Sequence, residues 1–195
     1  ESLMDKDIRE IKAKGFKNYF KELEEAELSD AFWNVRLVQN LETSSISSPF
    51  FNTFLAAQIF SGDRSLLSNS SKVSDLISVA GDVHHIFPRA YLKETGFNDK
   101  GKYNQVANFA YLDTGVNISI GKQAPNEYFS KAFEQCETGD IKVGTIVDVD
   151  VLRSNLAVNC IPENIVEMSA EDYLEFLKER RVLMAKKIKE YYYSL

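Results

Sequence analysis

Four prolines and nine glycines among 195 residues are few, and they argue against a turn-dense all-β chain. There are two cysteines, Cys136 and Cys160, and they form no C-x-x-C pair. That argues against a zinc ribbon and a disulfide scaffold and fits a reducing compartment, so a cytoplasmic location is expected. No window of about 18 apolar residues exists, which excludes a membrane-spanning helix and makes a membrane partner unexpected. The N-terminus is charged and lacks the apolar core of a signal peptide. No G-x-x-x-x-G-K-[ST] phosphate loop, internal repeat or long linker is present.

What the chain does have is apolar bulk. Hydrophobic residues make up 44% and charged residues 27%, ordinary for a globular chain. Thirteen phenylalanines, nine tyrosines and one tryptophan supply enough apolar surface to offset chain entropy, which rules out disorder as the main state. The length suits one domain, or one with a second packed against it. The chain opens with Glu1 rather than Met, and the expectation is a fragment of a longer protein.

The net charge of −6 argues at first against a nucleic-acid partner. Its distribution is more informative. Residues 82–131 carry six basic and five acidic groups, whereas residues 132–169 carry two basic and seven acidic. The middle segment repels a polyanion least, and it holds both histidines.

Apolar spacing predicts a helix from Asp5 to Ala26, weakened at Gly15. Ser29 is a candidate cap for a helix carrying Phe32, Trp33, Val35, Leu37 and Val38. Pro49 suits the first turn of a third helix whose Phe50, Phe51, Phe54, Leu55 and Ile59 face a core. Val73–Val79 reads as a short helix. Asp82–Phe87 has strand character and stops at Pro88, and one or two helical turns run to Glu94. Val106–Leu112 reads as a second strand, followed by Thr114 as a cap. Pro125 starts another helix to about Gln135, and a less regular acidic region follows. Ser169 and Asp172 form a capping-box start for a C-terminal helix, with Tyr173, Leu177, Met184, Ile188 and Tyr192 on one face. The expected division is a helical region 1–80, a core 81–135 and a helical region 136–195, forming one unit.

The two histidines, His84 and His85, are adjacent. The plain reading is one buried, hydrogen-bonded ring and one exposed ring. The sharper reading divides labour: one imidazole binds a metal and the other takes a proton from water. Asn108 stands at the second strand and Asn117 just after the turn that follows. An asparagine offers a carbonyl oxygen to a hard metal, and its amide can also tie two loops together. Asn104 and Asn126 read as ordinary turn asparagines.

The phrases GDVHHIFPRAYLKETG (81–96), NQVANFAYLDTGVN (104–117) and IGKQAPNEYF (120–129) resemble the HNH endonuclease family. More closely, they resemble the C-terminal nuclease domain of GmrSD-type, modification-dependent restriction systems. FFNTFLAAQ (50–58), VSDLI (73–77) and YLEFLKERRVLMAKKIKEYY (173–192) extend the likeness over most of residues 50–195. The resemblance implies an α+β, predominantly helical fold, with a small ββα-metal core embedded in a helical domain. It implies a metal-dependent DNA endonuclease module in a restriction or anti-phage defence protein. His85 falls on the general-base position, and Asn108 on the middle asparagine that positions the loop holding the base. His84 and Asn117 fall on the metal-ligand positions, the latter an asparagine where many members carry histidine. One divalent metal ion is implied, Mg²⁺ or Mn²⁺ foremost, with Ni²⁺ or Zn²⁺ compatible with imidazole and amide ligands. An N-terminal ParB-like nucleotide-handling domain, usual in fuller members, would lie outside these residues.

Lys122, Arg89 and Lys102 are the candidate phosphate contacts, with Lys93 beside them; each has solvated surface as its plainer explanation. The basic run Lys178, Arg180, Arg181, Lys186, Lys187 and Lys189 alternates with acids and reads as a solvated face. Asp148 and Asp150 are too generic for a second metal site. The competing reading is a catalytically silent nucleic-acid-binding or protein-interaction domain that keeps the ββα scaffold.

Overall fold

The computed structural model describes residues 2–79 and 83–195. The expected strand start at Asp82 and the expected boundary at 80/81 lie outside them. The fold is α+β and predominantly helical, with one small antiparallel sheet among the described residues.

Two N-terminal helices, α1 (Leu3–Lys14) and α2 (Phe16–Glu27), form where one helix was expected to weaken. Gly15 separates them at φ 80, a backbone region that costs glycine nothing and other residues more. A π-helical turn, Phe32–Arg36, runs into α3 (Leu37–Asn40). Ser29 caps this stretch as expected, its Oγ accepting from Phe32 N at 3.4 Å. Next come α4 (Pro49–Phe60), which carries Pro in its first turn, and α5 (Val73–Ser78). Phe51 and Phe54 of α4 are buried and Phe50 and Leu55 pack on the core, but Ile59 is exposed.

Strand β1 (Val83–His85) pairs antiparallel with β2 (Phe109–Tyr111), with His84 opposite Ala110 and His85 opposite Phe109. Between them lie α6 (Arg89–Glu94), α7 (Lys100–Tyr103) and a 3₁₀ turn, Val106–Asn108. That turn shortens the second strand relative to expectation. Helix α8 (Thr114–Ile120) follows β2 directly. Its N-cap is Asp113, not Thr114, which is already its first helical residue.

Helix α9 (Pro125–Thr138) precedes the acidic stretch that was expected to be irregular. That stretch contains α10 (Val149–Val158). Asp148 is the reason: its carboxylate accepts from the backbone N–H groups of Asp150 and Val151, satisfying two donors that a helix start leaves unpaired. The chain closes with α11 (Tyr173–Tyr193), entered through the expected Ser169–Asp172 capping box and a 3₁₀ turn.

Helix α11 packs against α3, α4, the π-helical turn and the 3₁₀ turn before β2. One apolar cluster runs through it, from Trp33 through Phe87, Phe109 and Tyr128 to Ile188. The solvated-face expectation for α11 fails at three of its six cations. Arg180 is 1% exposed and Arg181 8%. Lys187 forms an ion pair with buried Asp63 at 2.6 Å. A buried cation needs acceptors: Arg180 and Lys187 find them inside, and Arg181 reaches the exposed Glu42 at 3.7 Å. Cys136 and Cys160 are both free thiols. Among the described residues, no helix is long and apolar enough to cross a membrane.

Candidate active site

The site is built on the β1–β2 hairpin. Neighbouring residues on a strand point to opposite faces, so His84 and His85 diverge from the pleat; both are half-buried. The His85 ring stands edge-on to Phe109, centroids 5.1 Å apart, and lies 6.3 Å from the Tyr103 ring. Its Nε2 is 2.8 Å from Asn104 Oδ1. Burial pulls the His85 pKa below its ordinary 6.5; the Asn104 hydrogen bond opposes that, and the charges of Arg89 and His84 add to it. Neutral imidazole is the favoured form, because taking a cation out of water is costly.

Asn108 is fully buried, and its carboxamide is committed to the turn that follows His85. Its Oδ1 accepts from Phe87 N at 2.8 Å, and its Nδ2 donates to the carbonyls of Phe87 at 3.1 Å and Tyr103 at 3.2 Å. Its backbone carbonyl also accepts from Ile86 N at 2.8 Å. The exit of β1 is thereby fixed to the approach of β2, and Tyr128 Oη adds a bond to Ile86 O at 2.8 Å.

Beneath β2 lies Arg180 of α11. Its Nη1 donates to the carbonyls of Ala107 at 2.9 Å and Phe109 at 2.7 Å, and its Nη2 to Asn159 O at 3.2 Å. Burial pulls its pKa down to about 10. The guanidinium fork thus supplies donors to a strand that carries the histidines' partners.

Asn117 is half-buried in the first turns of α8. It shares a helix side with Ile120 and sits beside Val116, both in the core. The start of α8 is joined to β2. Just past its end, Lys122 pairs with Glu94 of α6 at 2.9 Å. The helix therefore spans from β2 toward α6. His84 on β1 carries an imidazole and Asn117 on α8 a carboxamide, donor types that divalent ions accept. Among the described residues, no three Cys, His, Asp or Glu side chains are grouped so as to hold a metal ion.

The cationic candidates divide. Arg89 is exposed at the start of α6 and within charge range of His85. Lys93 lies over the Tyr103 ring at 5.3 Å. Lys102 is exposed on α7, and its carbonyl accepts from Tyr173 Oη at 2.9 Å. Lys122, favoured from sequence as a phosphate contact, is engaged with Glu94 at the surface.

Two residues of the site escaped the sequence. Asn104 read as a turn asparagine, although its place four residues before Asn108 put it in the segment facing β1. Arg180 was hidden in a run of alternating charge. No family model, curated protein or solved structure matches this chain.

Proposed function

We propose that this chain is a metal-dependent endonuclease module that hydrolyses phosphodiester bonds in DNA, built on a ββα-metal core. The observation that carries this reading is the buried Asn108 carboxamide, which spends its bonds on the turn behind a half-buried histidine. A base must keep its position while a water is deprotonated, and a clamp of this kind meets that need.

His84 and Asn117 would hold the metal. When bound, a divalent ion would supply positive charge to the scissile phosphate and the leaving oxygen. Neutral His85 takes the proton of an incoming water. The hydroxide oxygen forms a bond to phosphorus, the bond to the 3′-oxygen breaks, and that oxygen takes up a proton from solvent. Arg89, next to His85, attracts the phosphate backbone. The acidic remainder of the chain limits non-specific affinity, which should be weak and salt-sensitive. Restriction or anti-phage defence is the setting this chemistry fits, with an N-terminal nucleotide-handling domain as partner.

The test is nicking of supercoiled plasmid by the purified chain with Mg²⁺ or Mn²⁺, and with EDTA. Cutting should need the metal. His84→Ala should cut poorly and recover in part with excess Mn²⁺, since a lost ligand weakens binding without removing the base. Metal-independent cutting, or a His84→Ala variant equal to wild type at limiting Mn²⁺, contradicts the reading.

A further inference from the structure

We propose that Asn104 is a positioning residue that fixes the His85 tautomer, so that the proton sits on Nε2 and Nδ1 is the basic atom. The inference rests on the nuclease reading for its catalytic consequence, but not for its geometry.

The geometry is one-sided. Asn104 Oδ1 faces His85 Nε2 at 2.8 Å. An amide oxygen carries no hydrogen and can only accept. With the Asn104 amide in this orientation Nε2 is the donor, and in a neutral ring that leaves the single ring lone pair on Nδ1. Phe109 and Tyr103 pack against the ring, which restricts its rotation.

Asn104 is itself well held. Its N–H bonds to Lys100 O at 3.0 Å. The preceding carbonyl, that of Tyr103, accepts from Asn108 Nδ2 at 3.2 Å and from Tyr173 Oη at 3.3 Å. The same Asn108 amide binds Phe87 on the strand side. One buried carboxamide thus fixes the backbone on both sides of the His85–Asn104 pair. Base and orienting acceptor move together or not at all, an arrangement that serves catalysis because the wrong tautomer of a base presents a proton where a lone pair is needed.

Nitrogen-15 NMR of labelled histidine tests this directly, and the chain's two histidines keep the spectrum simple. His84→Gln leaves one ring to observe. In that background, His85 should give an Nε2–H signal slow to exchange with water. Asn104→Leu should abolish that protection. Asn104→Asp should keep it, because a carboxylate oxygen also accepts. In otherwise wild-type protein, Asn104→Leu should lower the turnover of plasmid nicking at least about 10- to 100-fold, the range for loss of a hydrogen-bond partner that orients a metal-bound imidazole. KM should stay unchanged, and Asn104→Asp should restore turnover to within a few-fold. A proton on Nδ1, or Nε2–H protection equal in Asn104→Leu, overturns the proposal. The NMR result decides the role of Asn104 even if no variant cuts DNA, whereas absence of cutting by wild type counts against the nuclease reading alone.

Discussion

The N-terminal helices and the region around the β1–β2 sheet place their polar side chains to opposite effect. In the N-terminal pair, α1 buries no residue and α2 buries only Tyr19. Leu3, Met4, Ile8 and Phe16 are exposed, and the ion pairs of Lys14 with Glu10 and Glu22 lie at the surface. Around the hairpin, Asn108 and Arg180 are sunk in the core and take up backbone groups. A surface ion pair contributes little because water competes for both charges. A buried amide or guanidinium that satisfies backbone groups holds geometry, because breaking any one bond leaves a polar atom dry. What a polar group contributes depends on where it is put, not on how many there are.

That contrast breaks most severely at Arg180. Arg180→Met should strand the carbonyls of Ala107, Phe109 and Asn159. At about 1–3 kcal/mol per buried unsatisfied group, the loss should be at least about 3 kcal/mol, read as a fall in the urea midpoint with an unchanged slope. Stability equal to wild type would mean that the strand does not depend on α11.

Asn108→Ala comes next, with an expected loss of about 2–3 kcal/mol from the bonds to Phe87 and Tyr103. The variant that remains folded should also nick DNA more slowly, since His85 loses its fixed exit. Full activity in folded Asn108→Ala would separate the clamp from the site.

Protons give a smaller effect. The folded His85 pKa lies below 6.5, chiefly through burial, and the unfolded chain keeps the ordinary value. Between the two values the unfolded state binds more protons. Stability therefore falls as pH drops through 6.5 and stops falling below the folded value. His85→Gln should flatten that slope in thermal melts taken across this window. If the neutral ring is the base, the acid limb of the cleavage profile also lies below 6.5; a limb above 6.5 would point to another group.

The smallest effect belongs to the N-terminal pair. Ile8→Ser should change stability by no more than about 0.5 kcal/mol, as expected for an exposed position. A larger loss would show that α1 packs on something in solution.

Much of this arrangement was legible in the sequence because it follows from local chemistry. Gly15 ends a helix, Pro49 and Pro125 start helices, and Ser169 with Asp172 caps the turn leading into the last one. The adjacent histidines and Asn108 stood out because their side chains can do something specific on or beside a strand. Asn104 did not, since nothing local separates an asparagine that ends a turn from one that meets a histidine 19 residues earlier in the chain. Arg180 was missed for a related reason: charge alternation reports a solvated helix only when one side of that helix is free. Asp148 was weighed as a metal ligand, and its actual work is to cap α10. These three misses concern polar side chains whose partners are fixed by local backbone geometry or by tertiary packing, beyond what composition and periodicity report.

The most direct test of the central claim is plasmid nicking by His85→Ala beside wild type, at pH 7.5 with saturating Mn²⁺, after both are shown to fold. General-base catalysis accounts for about 10²–10⁴-fold, so the variant should lose at least about a hundredfold in rate. Its Mn²⁺ binding should remain, because His84 and Asn117 are untouched. A His85→Ala variant that cuts as fast as wild type would contradict the assignment of His85 as the base.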